Sequence, residues 1–441
     1  MQIGLSLSLT AQLRLSTSAY VVSGFEPALV FDFKNSYYRK GEESTVFASA
    51  ITHARASSAT MINSSGTLVT VGNNVPRTGH HIYNGSAWVN EGILHESEPR
   101  TNQMLYSDDL TRTAWTGQAN AGTVTAGSPF GTYQTISPSA NGGNLGPAQK
   151  YQIGKSITSG STYVGWALVK YSAGSGWFVV NMYDTGKANE QAYFDLQNGV
   201  VGSKEALIID HGMVDYGDGW WLCWASSNAA SGSGGVSYEM PNGDGVQSCS
   251  AADVILIAGS QFEQGSTPSS YIPTSGSTVT RAAETLTIPA ANMPYDSTNM
   301  SIQMDGRMTF TDTDAYALVQ LHWWQLDTNN RILKALDGFG TDTGKPVSTM
   351  TALGVASYSG GAADHYSPGI SVPFNYADRY GSTFLNSALE GTALTAKTTP
   401  TSLPDLSSTD LNLGRKFMGT IGQFRVWDED ITDAGIAEAS T

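Results

Sequence analysis

The chain has 441 residues, enough for two to four compact units in succession at roughly 150 residues each. A formal charge of −15, with only 14% of residues charged, excludes a nucleic-acid partner, because phosphate binding needs a clustered excess of Lys and Arg. The abundance of Gly, Ser, Thr, Asn, Tyr and Trp predicts an all-β fold of strands joined by tight turns. No run approaches the ~18 to 20 apolar residues of a membrane-spanning helix, so membrane insertion is not expected either.

The first element is the most regular. Ile3, Leu5, Leu7, Leu9, Ala11, Leu13 and Leu15 alternate with polar residues, which predicts a long strand with one wet face. Residues 1–27 are therefore read as a β arm that docks on a partner subunit by strand addition, with an ordinary strand in its own sheet as the alternative. The same stretch has no basic cluster and no continuous apolar run, so no secretory leader is expected.

Residues 28–99 alternate short apolar stretches with turn residues at Ser64–Gly66, Gly72–Asn74 and Asn84–Gly85, which predicts hairpins in a β-rich attachment region. Residues 100–273 contain strand-like runs at 162–170, 177–183, 191–196, 219–226 and 254–262, the spacing of a jelly roll. Residues 274–283 read as a linker rich in Ser and Thr. A second sandwich, 284–441, follows, with strands near 300–310, 315–324, 331–336 and 419–427 and a short helical turn at Asp433–Ser440.

Chemistry-bearing patterns are sparse. Cys223 and Cys249 are two thiols, too few for a disulfide framework or a zinc site; buried free thiols and a single disulfide both remain open. The seven histidines show no His-Glu-x-x-His spacing, Asp312 and Asp314 are at most half a calcium site, and no Gly-x-Ser-x-Gly elbow is evident. No cofactor, metal or catalytic residue is expected. Asp428-Glu429-Asp430 reads as a solvated turn. In Trp220-Trp221-Leu222-Cys223-Trp224 alternate residues face opposite sides of a strand, and most of these indoles are expected in the core.

Several segments, taken in order, resemble a family of phage virion proteins that combine concanavalin-like or carbohydrate-binding-module-like jelly rolls. They are Glu98-Pro99-Arg100-Thr101-Asn102 with Tyr106-Ser107 and Trp115, then Phe194-Asp195-Leu196-Gln197-Asn198-Gly199, then Tyr216-Gly217-Asp218-Gly219-Trp220-Trp221. Gln261-Phe262-Glu263-Gln264-Gly265, Ser270-Tyr271-Ile272-Pro273-Thr274 and Thr280-Arg281-Ala282-Ala283 complete the series. The run Gly419–Trp427 resembles the closing strand of laminin-G-like sandwiches. The resemblance implies a structural protein of tail, minor structural or head-fibre type; the leading arm has no counterpart in it.

The resulting expectation is a non-enzymatic virion-surface protein, assembled in the host cytoplasm, that mediates attachment and weak glycan contact. It docks on other virion proteins and forms a homo-oligomer, a trimer being the state expected of a fibre. Aromatic rings near sandwich loops are the glycan-contact candidates, since sugar C–H faces pack on them: Trp323, Trp324, Tyr358, Tyr366, Tyr376 and Tyr380. A capsid decoration protein and a polysaccharide depolymerase are the rival readings, the latter requiring a carboxylate pair in a groove.

Overall fold

A computed structural model of the chain describes residues 19–139, 148–184, 190–311, 318–337, 344–360 and 365–441. The docking arm Ile3, Leu5, Leu7, Leu9, Leu13 and Leu15 lies outside the described residues, as do Asp312 and Asp314. The fold is all-β and built from antiparallel sandwiches, as composition and alternation predict.

Two compact units interleave along the chain. One comprises residues up to 53, 91–97 and 285–441; the other comprises 54–90 and 98–284. The stretch 28–99, expected to be a single region, thus contributes to both. The expected linker 274–283 is not a linker. Its strand Val279–Arg281 pairs with Arg100–Asn102, and the Arg281 guanidinium is buried and donates to the Glu98 carbonyl. Its Ser and Thr content is that of an ordinary ladder and its flanking turns, which composition does not distinguish from a flexible connector.

In the 54–90/98–284 unit, one sheet runs Ala119–Ala121, Gly131–Pro138, Val254–Gln264, Thr162–Ala173, Trp220–Asn228, Ile208–Asp215. The facing sheet runs Ala148–Ser156, Ser233–Met240, Trp177–Asp184, Gln191–Asp195, Val200–Lys204. Ala167, Val169, Cys223, Ala225, Ile255 and Ile257 from the first meet Phe178, Val180, Met182, Ala192, Phe194 and Val236 from the second in one core. The first sheet is buried on both faces: Trp166, on the side away from that core, packs against Phe130 and Tyr271. This explains the unbroken apolar run Val164–Val169, since a strand covered on both sides has no reason to alternate. The indoles of Trp220 and Trp224 are buried, as expected of core residues. Cys223 and Cys249 are free thiols.

Two of the three predicted hairpins form, Ala59–Ile62 with Leu68–Val71 and His81–Tyr83 with Trp88–Asn90; among the described residues Leu68–Val71 has no strand pairing across the turn at Gly72–Asn74. The second turns on Asn84-Gly85, where Gly85 has φ of 92° and the Asn84 side chain accepts from the Ser86 and Ala87 amides. Both hairpins belong to a segment tied down by a fully buried charge cluster: Arg55 and Arg77 converge on Glu284, with Arg77 making bonds of 3.0 and 2.6 Å to its two oxygens.

The other unit is a second sandwich. Its first sheet contains Glu43–Thr45, Tyr37–Lys40, Leu29–Asp32, Met418–Trp427, Asn299–Phe310, Gly369–Gly381, Leu385–Leu389 and Thr392–Ala393. Leu29–Asp32 and Ile93–Glu96 lie end to end along the same edge of Met418–Trp427. The second sheet runs Val355–Gly360, Lys345–Ala352, Asn330–Asp337, Leu318–Asp327, Leu411–Arg415, Thr285–Ile288, Thr52–Ala54. Phe31, Ile302, Met304 and Phe424 face Trp324, Ile332, Met350 and Leu413 across the core. The helical turn near the C-terminus is the helix Thr432–Ala439, whose Ile436 and Ala439 pack with Trp427, Ala377 and Ala388.

Candidate functional site

The aromatic candidates of the C-terminal sandwich are mostly core. Trp324, Tyr376 and Tyr380 are fully buried and Tyr366 nearly so. The reason is strand parity. Gly369–Gly381 is a single long strand instead of a Gly-rich loop, and Phe374, Tyr376 and Tyr380 fall on its inward side. Trp324 is also inward and donates its indole N–H to the Thr409 carbonyl at 2.9 Å. Trp323 points the other way and is half-buried, but the guanidinium groups of Arg331 and Arg415 lie 5.7 and 4.8 Å from its ring centre. Tyr358 alone of the six is well exposed.

Tyr376 and Tyr380 belong to a polar layer that crosses this core. His322, Lys334 and Ser348 form one row across neighbouring strands of one sheet, and Asp378 and Ser387 form a directly opposed pair in the other. Lys334 Nζ donates to Asp378 Oδ1 (3.0 Å), Ser348 Oγ (3.0 Å) and Ser387 Oγ (3.2 Å). His322 is bracketed by the Tyr376 and Tyr380 hydroxyls at 2.9 and 3.2 Å. Burial pushes the imidazole down to about 4, the Asp378 charge opposing it, so the ring is neutral near pH 7. With every member buried, the layer has no access for a ligand and acts as a structural network.

The segments that carry the family resemblance are also structural. Asn102 is fully buried; its Nδ2 donates to the Ser260 and Ile272 carbonyls (3.0 and 2.9 Å), and its Oδ1 accepts from the Met104 and Phe262 amides (3.0 and 3.2 Å). Glu263 accepts from the Ser269 amide and hydroxyl (2.9 and 2.6 Å), and the Gln261 carbonyl oxygen accepts from the Ile272 amide. These side chains satisfy backbone groups where irregular chain is buried.

A second polar cluster lies on the outer side of the Ala148–Lys204 sheet; its Gln191, Tyr193, Ser237 and Glu239 are buried, while Gln149, Tyr151, Trp177, Asn181 and Tyr183 around them reach solvent. With Phe178, Val180 and Met182 turned to the core, Trp177, Asn181 and Tyr183 point outward. Register then places Glu239 and Ser237 of the next strand, Gln191 and Tyr193 of another, and Gln149 and Tyr151 of the edge strand on the same side. Asn181 Nδ2 donates to Glu239 Oε1 (2.9 Å) and Gln191 Nε2 to Glu239 Oε2 (3.0 Å). The Tyr193 hydroxyl donates to Gln191 Oε1 at 2.6 Å, and Gln247, from the loop after Met240, donates to the Tyr193 oxygen at 2.8 Å. The Glu205 carboxylate accepts from the Gln191 amide (2.9 Å), and Ser237 Oγ donates to Gln149 Oε1 (3.2 Å).

Burial raises the Glu239 carboxyl above its ordinary value, Glu205 adding to the effect while the amides of Asn181 and Gln191 oppose it. Burial, with the charges of Glu205 and Glu239, pushes the Tyr193 phenol up to about 12, so it stays a neutral donor. Around this polar floor stand apolar ring faces. Trp177 is half-buried, Tyr151 partly exposed and Tyr183 open to solvent. Gly202 is required here, because a Cβ at that position would meet the Trp177 ring at 2.7 Å. The alternation of WFVVNMYD and SGGVSYEM was the available signal for this face: each strand interleaves core residues with amide, carboxylate or phenol groups. Among the described residues no group of three or more His, Cys, Asp or Glu side chains is placed to hold a metal ion.

No protein-family model matches the sequence, and no curated protein does. Among solved structures, a NanB sialidase mutant from Streptococcus pneumoniae aligns over 34% of this chain and 26% of its own, at 14% identity and a TM-score of 0.27. Domain 4 of AbnA, an extracellular GH43 arabinanase from Geobacillus stearothermophilus in complex with arabinotriose, aligns over 36% and 73%, at 11% identity and 0.28. The CBM22-1–CBM22-2 tandem of Xyn10C from Paenibacillus barcinonensis aligns over 74% and 96%, at 12% identity and 0.23. The aligned region spans about a quarter of the sialidase chain. Likeness this slight assigns neither ligand nor activity to this chain.

Proposed function

We propose that the chain is a non-enzymatic bacteriophage surface protein that attaches to other virion proteins and binds glycan weakly through the outer face of the Ala148–Lys204 sheet. One observation carries the glycan part: the side chains of Asn181 and Gln149 stand at partly exposed positions beside the rings of Trp177, Tyr151 and Tyr183, held by a buried floor of Gln191, Tyr193, Ser237 and Glu239. Sugar hydroxyls need both kinds of partner, and their C–H faces need rings. The ordered run of segments from Glu98 to Ala283 supports the virion role. Repeated copies on a particle make weak sites effective, because linked sites share a high local concentration.

A depolymerase is favoured by one feature, the raised Glu239 carboxyl near a second carboxylate, Glu205. Against it, both Glu239 oxygens already accept amide hydrogens, an arrangement that holds a carboxylate as an acceptor instead of freeing it as an acid. Asn181→Ala tests the binding reading. It removes one amide at a partly buried position, and retention on an immobilised polysaccharide that holds the wild type is expected to weaken roughly tenfold. Unchanged retention refutes this face as the site. Release of reducing ends from that polymer, abolished by Glu239→Gln, would establish the enzyme instead.

A further inference from the structure

The charges of the face narrow the chemistry of its ligand. Sheet register assigns each ionisable side chain of these five strands to one side or the other. Lys150 pairs with Tyr238, Lys155 with Gly234 and Lys204 with Ala192; Tyr238 and Ala192 face the core, and a Cβ on Gly234 would meet Ile157 of that core, so all three cations lie on the side away from the candidate face. Lys204 is further committed to the Ile209 carbonyl. Among the described residues of the five strands, no Lys or Arg occupies an outward position.

The carboxylates are distributed the opposite way. Glu239 sits in the floor, Glu205 binds the Gln191 amide beside it, and Asp244, in the loop that also supplies Gln247, is exposed and accepts from the Ser203 amide and hydroxyl at 2.9 and 2.7 Å. Asp244 lies next to the Trp177 ring, since a Cβ on Gly202 would meet both. A sugar stacked on that indole would therefore lie beside the exposed carboxylate of Asp244, with no cation at the outward positions of its own strands.

Resting on the binding reading above, we infer that the ligand of this face is an uncharged polyhydroxylated glycan, and that polymers bearing carboxylate or sulfate groups are rejected. Asp244 and Glu205, which reach solvent, accept hydrogen bonds from hydroxyl groups, whereas they and the buried Glu239 repel an anionic substituent, and a like-charge contact in a partly buried setting is a strong discriminator. Burial is the main cause that raises the Glu239 carboxyl, and the charge of Glu205 adds to it.

The test uses the full chain on an array of immobilised polysaccharides. Neutral probes are arabinan, xylan, mannan and mixed-linkage glucan; anionic probes are polygalacturonate, alginate, hyaluronan and a sulfated galactan. Each is read at low salt and at about 1 M salt, where the Debye length falls to about 3 Å. The expected result is binding to at least one neutral polymer, little changed by salt and weakened roughly tenfold by Asn181→Ala or by Gln149→Ala at the rim. Two variants are used so that a folding defect in one, checked by circular dichroism, does not decide the outcome. Binding to an anionic polymer that both variants weaken overturns the inference and leaves the binding reading intact. Binding that neither folded variant affects, or no binding to any probe, overturns the binding reading and the inference with it.

Discussion

Lys334→Met perturbs the buried polar layer of the C-terminal sandwich at its centre. In the native chain the ammonium makes three bonds of 3.0 to 3.2 Å and lies 5.0 Å from the Tyr376 ring centre. Methionine keeps most of the apolar stem and removes the charge. Asp378 is then a fully buried carboxylate whose remaining donors include the Ser348 and Ser387 hydroxyls. Removing one member of a buried pair costs about 3–5 kcal/mol, because the other charge stays out of water without compensation. Replacing both is far less costly, so Lys334→Met combined with Asp378→Asn is expected to recover at least half of the loss. Urea denaturation combined with hydrogen exchange of peptides covering Asn330–Asp337 and Gly369–Gly381 reads the effect locally. A single variant within about 1 kcal/mol of wild type, or a double variant no more stable than the single, refutes the argument that the pair is held by mutual compensation.

His322 makes stability depend on acid. The unfolded imidazole takes up a proton near its ordinary value of 6.5, while the buried ring resists until about pH 4. Its contribution is therefore complete above 6.5 and is lost as pH falls from 6.5 toward 4, by on the order of 3 kcal/mol. His322→Gln should show a shallower decline across that interval in denaturation midpoints measured from pH 7 to 4; parallel curves would sink the assignment. Asn102→Ala removes four bonds to buried backbone groups and is expected to cost on the order of 3 kcal/mol. Asn102→Asp should also destabilise, since a carboxylate cannot donate to the Ser260 and Ile272 carbonyls; a stability equal to wild type in either variant contradicts the role given to this side chain.

Strand identity was legible wherever one face of a sheet is dry and the other wet, because side chains alternate with a period of two. The turn at Asn84-Gly85 was legible for a local reason as well, since positive φ there favours glycine. Local pattern alone thus determined the all-β class and the strands from Thr162 to Gln264.

Tertiary structure decided which strands share a unit and which side of each is inside. The pairing of Val279–Arg281 with Arg100–Asn102 spans nearly the whole of one unit, and nothing in a Ser- and Thr-rich segment announces it. Tyr376 and Tyr380 have the composition of a binding loop, yet the parity of a strand thirteen residues long turns them into the core. The same parity brings Asn181, Gln191 and Glu239, from three separate strands, onto one outer face. Periodicity states that two faces differ; only the packing of one sheet on another determines which of them meets solvent, because that depends on apolar surface contributed by residues far away in the chain.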